Sequence, residues 1–273
     1  MGMVSLPSRL TAIEKTNYRF KNWRHATAGT VVFTGCSFPS YFPKTLAALE
    51  NALRIVPGVS SAIDCCGLPL AELKSPEAYH AELSRVGDRL VQIGAREVIP
   101  LCPSCAVAFS DDLDRAVPQA TIYAFLRELT ERGLFDCSRI AVPGAVFVPC
   151  PDRPNRKWID ELSFFLEPSV FASECSLCCG AAFELSQPEA SMVAAKQVLE
   201  SVASECADSG VGEPVLYVYC ASCAGKLEQA RRQCLGAPAG RVRVVHVLSA
   251  LMGVDEAPAI STAVPNRVKA AIR

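Results

Sequence analysis

The chain predicts an α/β fold made of two tandem, similar βαβ-type domains, each with a parallel sheet, related by a pseudo-twofold axis. Three observations carry that expectation. Short apolar runs alternate with stretches of helical periodicity. The same order of runs occurs twice. One five-cysteine pattern punctuates both copies. Strands that alternate with helices imply parallel βαβ units. Half of the 273 residues are hydrophobic, enough to bury a core in one large or two small domains. The expected division is an N-terminal arm over 1–30, a first unit over 31–140, a second over 141–253 and a flexible tail over 254–273.

In the first unit, VVFTG (31–35) reads as a buried strand that ends at Cys36. Residues 42–56 have helical periodicity, with Leu46, Leu49 and Leu53 on one face. A short strand near 60–64 ends at Cys65. Pro76 opens a helix to about Ile93, with Gly94 as its stop. EVIPL (97–101) is the next strand and ends at Cys102. A helix follows Ser104, then a strand–helix pair around 120–129.

The second unit repeats the order. AVFVP (145–149) ends at Cys150, 155–166 is helical, and a strand lies near 168–173. Pro188 opens a helix to about Ser204, VLYVY (215–219) ends at Cys220, and 242–252 closes the unit. Ligands of parallel α/β sheets sit beyond the carboxyl ends of the strands. Each repeated cysteine group falls at or just after such an end.

The two cysteine sets are Cys36, Cys65, Cys66, Cys102, Cys105 and Cys150, Cys178, Cys179, Cys220, Cys223. Each contains a lone cysteine, a Cys-Cys-Gly triplet and a Cys-x-x-Cys pair. Adjacent cysteines rarely bond to one another, because a vicinal disulfide strains the peptide between them. Two neighbouring thiolates can instead reach one polynuclear centre of soft metal. A single structural zinc takes four ligands, often as two Cys-x-x-Cys pairs, and this spacing fits that poorly. The compact cysteine run of cubane ferredoxins is absent. Gly67 and Gly180 supply the sharp turn after two ligands.

These residues give the chain a family resemblance. It resembles the cysteine-rich CCG-domain iron–sulfur proteins, among them the catalytic iron–sulfur subunit of heterodisulfide reductase, over about residues 31–252. The resemblance implies two noncubane 4Fe–4S clusters, each held by one five-cysteine set, with a small disulfide substrate cleaved between them. It implies an oxidoreductase subunit that reduces a disulfide or oxidises thiols. An alternative is a non-catalytic electron-transfer subunit like those of lactate, glycolate or glycerol-3-phosphate dehydrogenase complexes. A zinc-binding scaffold, with zinc at one site, is a weaker one. The implied partners are a flavoprotein or a ferredoxin-like subunit.

Composition limits the rest. With 27 basic and 28 acidic residues, the chain lacks the basic excess of a nucleic-acid binder. No secretory signal or membrane-length apolar run is visible, so a cytoplasmic location is expected, with a membrane reached only through a partner. Four cysteines stand outside the repeat: Cys137, Cys175, Cys206 and Cys234. Cys175 has a ligand-like spacing to Cys178 and is a possible substitute or additional metal ligand; Cys206 and Cys234 read as filler, and Cys137 sits in the linker between the halves with no evident partner. His246 either lines the rim or is a satisfied structural histidine, while His25 and His80 read as solvated. The basic–aromatic arm reads either as a dock for a partner protein or as a solvated terminus.

Overall fold

A computed structural model describes residues 18–112, 117–173, 177–208 and 212–273. The first half contains β1 (Gly29–Phe33), α1 (Phe38–Tyr41), α2 (Pro43–Leu53), β2 (Val59–Ala62), α3 (Leu68–Leu73), α4 (Pro76–Gln92), β3 (Ala95–Pro100), α5 (Pro103–Asp112) and α6 (Ile122–Glu131). The second half contains β4 (Gly144–Phe147), α7 (Lys157–Leu162), β5 (Val170–Ser173), α8 (Pro188–Asp208), β6 (Val215–Val218), α9 (Ala221–Gln233), β7 (Arg243–His246) and α10 (Val247–Leu251). A last helix, α11, spans Ala263–Ile272.

The protein is α/β, with two all-parallel sheets ordered β2-β1-β3 and β5-β4-β6-β7. Register exposes the repeat. Phe33 pairs with Ala62 and Pro100, and Phe147 pairs with Ser173 and Val218. Phe33 to Phe147 spans 114 positions, as does Cys36 to Cys150; Pro100 to Val218 spans 118, as does Cys102 to Cys220. Strand and cysteine keep one offset at these two positions, whereas Ala62 to Ser173 spans 111 and Cys65 to Cys178 spans 113.

The fourth strand differs between the halves. β7 pairs along its whole length with β6. Where the sequence suggested a counterpart near 120, there is only a parallel bridge between Val98 and Gln119. Pro118 lacks the N–H that would extend the ladder; its carbonyl accepts from Val98 N. Thr121 then caps α6 by accepting from Ala124 N.

The segment 254–273, expected to be a flexible tail, instead carries α11 packed against α1. Polar contacts hold it more than apolar burial does. The Glu256 carboxylate accepts from Lys44 N (2.9 Å) and Thr45 N (2.8 Å) at the start of α2. Asn266 Nδ2 donates to Ser40 O. The described part of the N-terminal arm is also tied down. Asn22 forms an antiparallel bridge with Ile63, covering the outer edge beside β2.

One apolar core runs through both halves. The α1–α2 corner inserts into the second half. Phe38 and Phe42 pack on the His246 ring at 5.0 and 4.7 Å, and Thr45 Oγ1 lies 2.8 Å from Ser249 Oγ.

Candidate functional site

Parallel strands end along a common sheet edge, and that edge assembles the site. β1, β2 and β3 are each followed within three residues by Cys36, Cys65 and Cys102; β4 and β6 deliver Cys150 and Cys220 likewise. The Cys-Cys-Gly turns bring in the vicinal pairs. Gly67 (φ +83°) and Gly180 (φ +78°) are left-handed, a conformation that a Cβ disfavours. Each donates its backbone N–H to the sulfur two residues earlier, Gly67 to Cys65 at 3.5 Å and Gly180 to Cys178 at 3.4 Å.

Sulfur meets sulfur along the rim. In the first half Cys65 neighbours Cys36 and Cys66, Cys66 neighbours Cys105, and Cys105 neighbours Cys102, each pair close enough to shift the other's ionisation. In the second, Cys150 Sγ and Cys178 Sγ are 3.5 Å apart, Cys178 contacts Cys179, and Cys179 Sγ and Cys223 Sγ are 3.1 Å apart. Cys223 in turn meets Cys220. Cys102 and Cys220 are close enough to shift one another's ionisation, which brings the two halves together there. The ten repeated cysteines thus form one continuous row from Cys36 to Cys150. Beside the crossing, Ser37 Oγ lies 2.8 Å from Ser222 Oγ.

Most of the row is buried, with Cys36 and Cys178 half-buried and Cys150 exposed. Three thiols are held low. Hydrogen bonds from Cys105 and Cys65 bring Cys66 down to about 6. Cys105 and Cys220 lower Cys102, and Cys178 and Cys223 lower Cys179. Their neighbours move the other way. Cys102 and Cys66 raise Cys105, and Cys179 and Cys220 raise Cys223. Backbone N–H groups of Ser104 and Cys105, opening α5, also point at Cys102, as that of Ala181 does at Cys179.

In kind, the donor set suits a soft-metal centre: ten thiols at one rim, several already receiving backbone N–H bonds. A second observation concerns unmatched donors. Among the described residues the buried Tyr18 and Tyr123 hydroxyls and His246 Nε2 have no hydrogen-bond partner. Each has rim sulfurs among its charged neighbours: Cys36, Cys65 and Cys105 at Tyr18, Cys220 at Tyr123, Cys102 at His246. His246 Nδ1 accepts from Leu248 N at 3.2 Å, and burial pushes the ring down to about 3. The neutral ring therefore carries its proton on Nε2. A buried unpaired donor costs about 1–3 kcal/mol. The sulfurs of Cys150 and Cys178, at 3.5 Å, and those of Cys179 and Cys223, at 3.1 Å, are in direct contact. Among the described residues no three His, Cys, Asp or Glu side chains are arranged so that they could hold a metal ion. A metal centre would require the sulfurs to part.

Cys175 lies outside the described residues. Cys206 is buried in α8, Cys234 caps α9, and Cys137 lies 4.0 Å from Thr130 Oγ1; none joins the row. His25 and His80 are exposed. His246 caps α10 through Nδ1, while its buried Nε2 has no hydrogen-bond partner among the described residues, so it is only half satisfied. Sequence reasoning missed three supports: Tyr123, the buried Asp64 that receives Trp23 Nε1 and Arg85 Nη2 (both 2.7 Å), and Ser222. The serine had a signal. It recurs in Cys102-Pro-Ser-Cys105 and Cys220-Ala-Ser-Cys223.

No protein-family profile and no curated protein matches the chain. Solved structures that resemble the chain weakly include a glutamate racemase isoform from Bacillus anthracis, at 15% identity and a TM-score of 0.39, over 84% of this chain and 80% of that one. An aspartate racemase homologue from Pyrococcus horikoshii OT3 follows at 13% identity and 0.36, over 89% and 99%. A periplasmic solute-binding protein of an ABC transporter from Actinobacillus succinogenes 130z, with bound D-allose, gives 10% and 0.28, over 80% and 76%. At these scores the likeness bears on neither site nor chemistry. No described helix is long and apolar enough to cross a membrane.

Proposed function

We propose that the chain is an iron–sulfur oxidoreductase subunit of the CCG-domain type, in which each cysteine set holds one cluster and the pair reduces a small disulfide or oxidises two thiols. The row of ten cysteines, continuous across Cys102 and Cys220, is the observation that supports this most. Disulfide reduction takes two electrons, and two neighbouring one-electron centres match that demand. Cys36, Cys65, Cys66, Cys102 and Cys105 would hold one cluster, and Cys150, Cys178, Cys179, Cys220 and Cys223 the other. Bound clusters would supply the electron storage. The protein would position the sulfurs through its strand ends, keep water from Cys66, Cys102 and Cys179 by burial, and offer N–H and O–H donors to the charge that builds up there.

The depth of the row favours a second reading. With seven of the ten sulfurs buried, a relay that passes electrons between a flavoprotein and a ferredoxin-like partner needs less access than a disulfide reductase does.

Anaerobically purified protein is expected to hold about eight irons. Cys66→Ser and Cys179→Ser should each remove about half, from different centres. Zinc without iron, or iron unchanged by both substitutions, would end the cluster reading. Turnover of a small disulfide by the reduced protein alone supports catalysis; rapid re-oxidation by a partner without such turnover supports the relay.

A further inference from the structure

A cavity of about 430 Å³ opens beside the first cysteine set, with Cys65 in its wall. That volume lies within the range of about 300–1,000 Å³ typical of small-molecule sites. Its lining comes wholly from the first half and includes three cations, Arg19, Lys21 and Lys74, against one carboxylate, Glu82.

The charge balance is one-sided. Glu82 is held by Lys21 Nζ at 2.8 Å and by Arg85 Nη2 at 2.9 Å. Arg85 also reaches Asp64 at 2.7 Å, so these four groups neutralise one another. Arg19 and Lys74 remain, exposed and with no carboxylate partner among the described residues. In a chain of net charge −1, two surplus cations in the lining of one cavity make a local positive field. The same lining holds apolar Leu70 and Ala78, and Cys65, the sulfur next to Cys36 in the row.

We infer that this cavity binds a small organic dianion, its two acidic groups held by Arg19 and Lys74 and its middle lying against Leu70 and Cys65. The ligand class is a carboxylate or sulfonate diacid, in preference to a neutral or cationic molecule of the same size. The cavity and its charge belong to the bare chain, so the inference does not depend on what the cysteines hold. If the cluster reading is right, it also makes the halves unequal, because ligand would approach the first centre.

Calorimetric titration of the purified full-length protein with adipate, its neutral diamide and cationic hexamethylenediamine, none of which exchanges with thiols, tests this. The dianion should bind saturably and at least tenfold more tightly than the diamide, with the diamine weakest. Arg19→Glu/Lys74→Glu should weaken dianion binding tenfold or more. Lys157→Glu, an exposed change in the second half, should leave it unchanged. Arg19→Gln/Lys74→Gln keeps the test valid if charge reversal perturbs folding. Equal binding of dianion and diamide, or a double variant that binds like the wild type, would overturn the inference. Iron content of the Cys66→Ser and Cys179→Ser proteins is a separate readout, so failure here leaves the cluster reading standing.

Discussion

The two cysteine sets share their placement and differ in their cover. In both halves, sulfurs follow strands that end in register, a left-handed glycine turns the chain after the vicinal pair, and a Cys-x-Ser-Cys opens a helix. In the first, Asp64 precedes the pair. Its fully buried carboxylate accepts from Cys65 N, Trp23 Nε1 and Arg85 Nη2, which fastens the arm over the sulfurs. In the second, Leu177 occupies that place, its main-chain carbonyl receives Arg153 Nη2, and Cys150 stays exposed. What positions sulfur is common to both halves, while what shields it differs.

The glycine turns offer the largest test of the common part. A Cβ at Gly180 would lie 2.4 Å from Ser191 O and 2.8 Å from Ser191 Cα, so α8 must move. At Gly67 it would meet Glu82 Cβ at 3.0 Å and Tyr79 O at 3.3 Å, a milder overlap than at Gly180. Left-handed strain of about 1–2 kcal/mol applies to both, and overpacking adds about 1–3 more at Gly180. Urea unfolding should show Gly180→Ala costing about 3 kcal/mol or more and Gly67→Ala about 2 or less. Equal costs would mean that the turns are not packed as described.

Shielding predicts reactivity. In iron-free, reduced protein, Cys150 should be alkylated at least tenfold faster than any cysteine of the first set, read by peptide mass mapping. Attack on Cys36 first would invert the comparison. A finer probe uses the unmatched hydroxyls. Tyr18→Phe should shift the reduction potential of only one centre and Tyr123→Phe of only the other, each with a stability change of about 1 kcal/mol or less. A shift of both centres by either change would break the assignment.

The smallest effect is acid sensitivity of the first-half cover. Burial works against ionisation of Glu82, yet Arg85 and Lys21 hold its carboxyl below the usual range. A carboxylate depressed on folding stabilises above its unfolded value of about 4.3, and the contribution is lost as pH falls through the folded value. Glu82→Gln should therefore flatten the stability profile below about pH 4.3, by less than about 1 kcal/mol because the group is partly solvated. Glu228 gives the second-half control: Arg231 and Arg232 depress its carboxyl in the same direction against burial. A Glu82→Gln profile that matches the wild type would remove the ion pair from the cover.

Much of this was legible locally. Apolar runs marked β1, β3, β4 and β6, Pro76 and Pro188 opened their helices, and Gly94 stopped one in a left-handed turn. The four-strand second sheet against three in the first was not legible, because the loss turns on Pro118 at one ladder position. Nor was the docking of α11, whose own sequence buries little; its neighbour Glu256 caps a helix more than 200 residues earlier.

Sequence alone determined which atoms are present and roughly where each sits along the chain. Parallel strands share an edge, so five sulfurs per half had to reach one rim. Only tertiary structure decided that the rims meet at Cys102 and Cys220, that Tyr18, Tyr123 and His246 bury unmatched polar atoms near them, and that Cys150 is exposed while its counterpart Cys36 is half-buried. The physical reason is range. Periodicity and turn chemistry act over a few residues, whereas packing between the halves joins groups more than 100 residues apart, through contacts that no local pattern encodes.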